Sequence, residues 1–492
     1  MTLHHLPILQ ILLPMAAAPL CVFLRRGRLA LGFSIAVCWA TFGVAIRLLI
    51  QTLTVGVTSY ELGGWVAPWG IEYRVDVLSA FVLLFVSGIA AIVMSYAPRS
   101  LAAEIRRDRH HLFCALYLLC LTGLLGIVIT GDLFNLFVFL EISALSSYAL
   151  IALGKKKRAL TAAFQYLVLG TVGATFILIG VGLMYMMTGT LNMADMATRL
   201  PLEDGLRTAI VAFAFLSVGI SIKMALFPLH LWLPSAYAYA PSVATAFLAA
   251  TATKVSVYIL LRIVFTVFGI HFSFEVMPLD TILLPMAIAG IVVASTVAIF
   301  QHDIKRMLAY SSVAQIGYMA LGISFASVTG LTAGIVHMFN HALMKGGLFL
   351  AMGCVALKVG SVEIEDLRGV GRRMPFTMAA WVVGGLGLIG VPVTVGFISK
   401  WYVVTAALEK GWWVVAVLVL LSSLLALVYV WRVVEVAYFQ RPPEEGPISE
   451  APLSMLIATW VLIAATLFFG LAPSWSVGLA REAAGVLLGV SP

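Results

Sequence analysis

Apolar residues recur along this chain in runs of about 20, separated by short polar or basic connections. The first seven runs lie near 5–24, 29–53, 76–97, 110–130, 132–154, 159–188 and 206–226. The next seven lie near 241–268, 280–301, 305–326, 329–357, 375–408, 412–439 and 452–473. A spanning helix needs about 20 apolar residues, so the pattern predicts an all-α polytopic membrane protein of about 14 transmembrane helices. The tail Trp475–Leu488 reads as an interfacial helix.

Composition agrees. Of 492 residues 62% are hydrophobic and only 11% are charged, against about 25% charged in soluble proteins. That excludes a soluble enzyme, a disordered chain and a coiled coil. The net charge of +8 does not signal nucleic acid, because the basic residues form no basic face. They cluster in short loops: Arg25, Arg26 and Arg28; Arg99, Arg106, Arg107 and Arg109; Lys155 to Arg158; Lys305 and Arg306; Arg368, Arg372 and Arg373. Assigning alternate connections to opposite sides puts about 18 Lys and Arg on one side and about five on the other. The positive-inside rule makes the first side cytoplasmic. The expectation is a multi-pass protein of the cell inner membrane with both termini outside. The first run lacks a basic leader and reads as a retained helix. The five cysteines lie in apolar stretches without a CxxC pair, which argues against disulfides and iron–sulfur ligation.

Two runs are interrupted. The seventh runs into Leu226-Phe227-Pro228-Leu229-His230-Leu231-Trp232-Leu233-Pro234, and the twelfth contains Gly390-Val391-Pro392-Val393-Thr394-Val395-Gly396. Proline removes a backbone donor and clashes with the preceding turn. A single interruption could be an ordinary kink. Two of them five spans apart, an odd offset that reverses orientation, predict inverted five-helix repeats with broken helices in matching places, the arrangement that marks transport sites. The expected organisation is a three-helix segment over 1–109, repeats over 110–268 and 280–439, and a C-terminal helix and tail over 440–492.

Ionisable groups inside apolar runs are costly and mark functional paths. Glu141 follows Asp132 by nine residues, about 13–14 Å of helix, which sets it near mid-bilayer. Lys223 precedes the first interruption, Lys254 lies mid-way along the eighth run, and Lys400 follows the second interruption. His337, His341 and Lys345 step by four and share one helix face. A lone lysine can snorkel to the interface and a lone histidine can bond a neighbouring helix. A string of one Glu, four Lys and two His over five spans instead predicts a hydrated proton path. Other chemistry fails on context. Gly385-Leu386-Gly387-Leu388-Ile389-Gly390 matches a dinucleotide-binding string but lies inside the twelfth run, so it reads as helix packing. No P-loop occurs, and His337 and His341 have no companion His or Cys cluster to complete a metal or haem site. No cofactor and no metal are expected.

At these residues the chain resembles a known superfamily. Asp132-Leu133-Phe134-Asn135-Leu136-Phe137-Val138-Phe139-Leu140-Glu141, Lys223 to Pro234, Ala249 to Arg262, Ala309 to Tyr318, His337 to Lys345 and Gly396 to Trp401 resemble the antiporter-like membrane subunits. These occur in Mrp-type multisubunit cation/proton antiporters, respiratory complex I and membrane-bound hydrogenases. Gly189-Thr190-Leu191-Asn192-Met193-Ala194-Asp195 and the length look like the D subunit of the Mrp type. The resemblance implies that Glu141 pairs with Lys223, that Lys254, His337, His341 and Lys345 carry protons along the axis, and that Lys400 serves the second half-channel. It implies other membrane subunits as partners and exchange of protons for a monovalent cation such as Na⁺. Tyr237-Ala238-Tyr239-Ala240 departs from complex I relatives, which carry a His and an acid there. A proton-pumping subunit of a redox-driven complex is the alternative. A self-contained permease for organic solutes would need a roomy polar cavity rather than a thin line of charges.

Overall fold

The computed structural model describes residues 4–200, 205–441 and 449–490. Its helices begin with α1 Leu6–Leu24, α2 Gly27–Val55, α3 Val77–Glu104, α4 His110–Ile129, α5 Leu133–Ala152, α6 Lys157–Thr188 and α7 Met193–Arg199. There follow α8 Leu206–Met224, α9 Trp232–Tyr239, α10 Ser242–Leu261, α11 Gly269–His271, α12 Leu279–Ile299, α13 Ile304–Ser324 and α14 Val328–Val359. The series ends with α15 Val370–Arg373, α16 Pro375–Ile389, α17 Val395–Glu409, α18 Trp413–Val434, α19 Leu453–Leu471 and α20 Ser474–Leu488.

Twelve of these, some with flanking turns, are long and apolar enough to cross a membrane. Two expected spans fall outside that set for physical reasons. Helix α13 has membrane length but carries Lys305, Arg306, Gln315 and several serines on a largely buried cylinder. The twelfth span is divided into the 15-residue halves α16 and α17. Helix α3 also continues to Glu104, past Pro98, where an end was expected at 97. Between α2 and α3, where apolar periodicity predicts no element, β1 Thr58–Glu61 and β2 Glu72–Val75 pair antiparallel.

A helix that is apolar all round must be buried on every side by protein or lipid, and the shares differ sharply. The best apolar stretch of α10 is 94% covered by protein and that of α3 is 89% covered, whereas those of α6 and α18 are each 39% covered. Helices α3, α4, α10, α13 and α14 therefore form the centre, and α1, α2, α6, α12, α18 and α19 form the rim that lipid completes. Helix α20 lays Val477, Ala480, Ala483 and Ala484 against the bundle, packing on α3 and α14.

One local device occurs twice. Asp132 caps α5 by accepting from Asn135 N at 2.7 Å, and its backbone bridges Asn192. Asp303 caps α13 by accepting from Arg306 N at 2.9 Å, and its backbone bridges Glu363. In both cases the bridge joins residues 60 apart in sequence. Each closes over a 32-residue helix, α6 or α14, that ends on a left-handed glycine, Gly189 or Gly360. Such caps contribute about 0.5–2 kcal/mol each. The Asp132 bridge lies beside Glu72, at the Asp76 end of α3; the Asp303 bridge lies beside the Glu104 end. A 28-residue helix separates those ends, about 42 Å at 1.5 Å per residue. The two devices face opposite sides of the molecule.

Candidate functional site: a buried line of ionisable groups

Both interruptions are real breaks. Helix α8 ends at Ala225, whose φ of 59° is left-handed, and the chain turns through Leu226–Leu231 before α9. Trp232 donates its indole N–H to Ile222 O at 2.9 Å, adding a side-chain donor to a carbonyl at the end of the helix. Helix α16 ends at Gly390, with φ 88°, and α17 starts after Thr394. Here Lys400 does the capping. Its Nζ donates to Leu388 O at 3.1 Å, Ile389 O at 2.8 Å and Ser423 Oγ at 2.9 Å. A cation at a helix C-terminus is favoured by the aligned peptide dipoles. Asn340 Nδ2 donates to Val395 O at 2.7 Å, tying α14 to the same break.

Six of the seven sequence-predicted residues are buried, and Glu141 is partly exposed; they differ in what they touch. Lys223, in the last turn of α8, places Nζ 3.5 Å from Glu141 Oε1 on α5. A cavity of about 20 Å³ lies between Lys223, Ser143, Ser147, Tyr166 and Ser256, enough for about one water molecule. Lys254 is fully buried on α10 and donates to Ala249 O at 2.5 Å and to Thr253 Oγ1 at 3.4 Å. Helix α10 packs along α14, which carries His337, His341 and Lys345, all fully buried. The two imidazoles stack, with centroids 6.0 Å apart and planes within 4°. Lys345 turns away from them, donating to Leu308 O at 2.7 Å and Ser311 Oγ at 2.9 Å on α13. His337 Nδ1 bonds Ser399 Oγ at 2.8 Å, beside Lys400. Tyr318 joins these two: its ring is 5.6 Å from that of His337 and 5.1 Å from Lys400 Nζ.

Glu141 and Lys223 thus meet directly, as do the histidines, while Lys254 and Lys345 bond backbone and hydroxyl groups rather than another of the seven. Three partners were not among the sequence candidates: Ser399, Tyr318 and Asn340. Buried polar atoms are almost always hydrogen-bonded, yet both ring nitrogens of His341, His337 Nε2, Gln315 Oε1 and Asn340 Oδ1 have no protein partner. The Gly385–Gly390 string packs helices, as expected: a Cβ on Gly385 would lie 2.8 Å from Val430 and one on Gly387 2.8 Å from Met344.

Residues 130–426 match the family described as NADH:quinone oxidoreductase/Mrp antiporter, transmembrane, and the chain belongs to it. It is 45% identical over 454 residues to NADH-quinone oxidoreductase subunit N of Desulforudis audaxviator, covering 91% of this chain and 89% of the relative. It is 30% identical over 495 residues to the D subunit of the Na(+)/H(+) antiporter of Bacillus subtilis, covering 99% and 98%. A solved archaeal respiratory complex, the membrane-bound sulfane sulfur reductase, contains a chain 32% identical that superposes with a TM-score of 0.90 over 98% of this chain and 97% of its own. The chain is therefore an all-α polytopic membrane protein of the class that supplies ion- and proton-transporting subunits to multisubunit complexes.

Proposed function

We propose that this chain is the proton-conducting subunit of a multisubunit Na⁺/H⁺ antiporter and works beside other membrane subunits. The observation that carries the reading is the Lys223–Glu141 ion pair, with Lys223, Lys254, His341, His337 and Lys400 all buried within the helices. An opposite charge within about 4–6 Å favours the charged form of a lysine, whereas burial alone disfavours it. Drawing Glu141 away releases the Lys223 proton toward Lys254, and restoring the pair recharges it. The caps at Asp132 and Asp303, equal in spacing and opposite in direction, support two inverted repeats over 110–268 and 280–439. The Glu104 end of α3, beside Lys155, Lys156 and Lys305, is the cytoplasmic face, which leaves both termini outside an inner membrane.

End-to-end similarity to an antiporter chain and the aromatic connection Tyr237–Ala240 favour this reading. In that connection Tyr237 OH donates to Leu248 O at 3.2 Å and Tyr239 OH accepts from Arg158 at 3.3 Å. The 45% identity to an oxidoreductase chain favours a second reading, in which the same path is driven by redox centres on other chains. Purification with its native partners decides between them. Small membrane subunits alone support the antiporter; peripheral flavin and iron–sulfur chains refute it in favour of the pump.

A further inference from the structure

Helix α10 and its continuation carry a second charged group that the proton path does not use. Lys254, Tyr258 and Arg262 step by four along it, each turned about 40° from the last. Arg262 is 8% exposed and Asp76, at the start of α3, is 7% exposed. Arg262 Nη2 donates to Asp76 Oδ1 at 2.5 Å and to Ser79 Oγ at 2.8 Å, and Nε donates to Tyr258 OH at 2.8 Å. Asp76 also accepts from Ser79 N at 2.9 Å. The Tyr258 hydroxyl, accepting from Arg262, gives its own proton to Val128 O at 2.7 Å. A cavity of about 250 Å³ lined by Glu72, Arg74, Asp76, Thr130, Tyr258 and Arg262 reaches this cluster from the side where Asp132 caps α5.

The arrangement calls for a reason beyond packing. Apolar residues of similar volume would close this position as well or better, because a buried ion pair seldom repays the desolvation of both charges. A relay is ruled out by the chemistry: a guanidinium keeps its proton at any physiological pH, and the Tyr258 proton points at a backbone carbonyl rather than along the helix face. What remains is a fixed cation, one helical turn beyond Tyr258 and two beyond Lys254, at the end of an open cavity. Fixed arginines at constrictions are barriers to protons and cations.

We propose that Arg262, held in place by Asp76, Ser79 and Tyr258, is a seal at the outer end of α10. It stops protons on Lys254 from passing straight to the outer cavity, so that they leave through α14 and Lys400. The inference rests on the proton path proposed above.

The test is passive proton leak, read separately from exchange. Membrane vesicles carrying the complete complex, with assembly checked by native gel, are given an imposed pH difference in Na⁺-free medium under a voltage clamp of K⁺ and valinomycin. Arg262→His puts a group that can release its proton in the same place and should speed decay of the gradient about tenfold, equivalent to about 1.4 kcal/mol of barrier. Adding Lys254→Met to Arg262→His should restore tightness. Where Arg262→His fails to assemble, the double change Asp76→Asn with Arg262→Gln removes both charges, strands neither, and should leak likewise. An assembled Arg262→His or Asn/Gln complex as tight as the unaltered one overturns the seal. So does a leak that survives Lys254→Met. Na⁺-driven exchange in the same vesicles tests the path itself: Lys254→Met alone exchanging at the unaltered rate refutes the path, whatever the leak shows.

Discussion

Lys223 Nζ lies 3.5 Å from Glu141 Oε1, and the two partners are unequally enclosed: the lysine side chain is 5% exposed and the glutamate side chain 26%. The carboxylate is therefore the more open member of the pair. This asymmetry suits a switch in which the acid moves and the base responds.

The first prediction follows from it. Glu141→Ala strands the buried Lys223 charge, a change that costs about 3–5 kcal/mol for a buried pair, so Na⁺-dependent ΔpH in inverted vesicles should be abolished. Lys223→Ala should do the same. Glu141→Asp, which keeps the charge and shortens the reach by one methylene, should retain part of the activity. Lys156→Ala, in an exposed connection, should be silent. A Glu141→Ala complex that assembles and exchanges at the normal rate refutes the switch.

Glu141 sits midway along α5 with a quarter of its side chain uncovered by this chain. A carboxylate facing lipid at that depth is costly, so a neighbouring membrane protein of the complex is expected to cover it. The chain reconstituted alone should show no sustained exchange, and co-expression with its partners should restore it. Robust Na⁺-dependent proton flux from the purified chain would count against this.

Orientation is open to labelling. In a background without the five native cysteines, cysteine at 156 or 372 should react with an impermeant thiol reagent only from the cytoplasmic side. A cysteine at 69, in the hairpin connection where Trp69 is 90% exposed, should react from outside. Reversal of this pattern inverts the assignment of faces.

The break between α16 and α17 should be intolerant of one methyl group. A Cβ on Gly396 would stand 1.8 Å from Gly387 O, a backbone atom that cannot swing aside. Gly396→Ala should lower the melting temperature of the complex and its exchange rate, at a cost of at least about 1–3 kcal/mol from overpacking. Gly182→Ala, where nothing lies within 4 Å, should leave both unchanged.

The sequence by itself determined the class of fold, the positions of most spans and which ionisable groups lie within them. Apolar runs of membrane length have one stable outcome, since every backbone group must find a partner within its own helix. Pro228 and Pro392 announced the breaks, because a missing N–H is a local property of the chain. Lys223, Lys254 and Lys400 were legible because a charge inside an apolar run is conspicuous without coordinates. Arg262 was equally visible within the run 241–268, four residues past Tyr258, but only its ion pair with Asp76, 186 residues away, distinguishes a seal from a stray interfacial arginine. The hairpin of β1 and β2 left no clear trace, since four-residue strands are too short for alternation to register. Ser399, Tyr318 and Asn340 gave no signal of their own, because uncharged polar residues are common in spans and gain meaning only from what they face. Tertiary structure decided those neighbours.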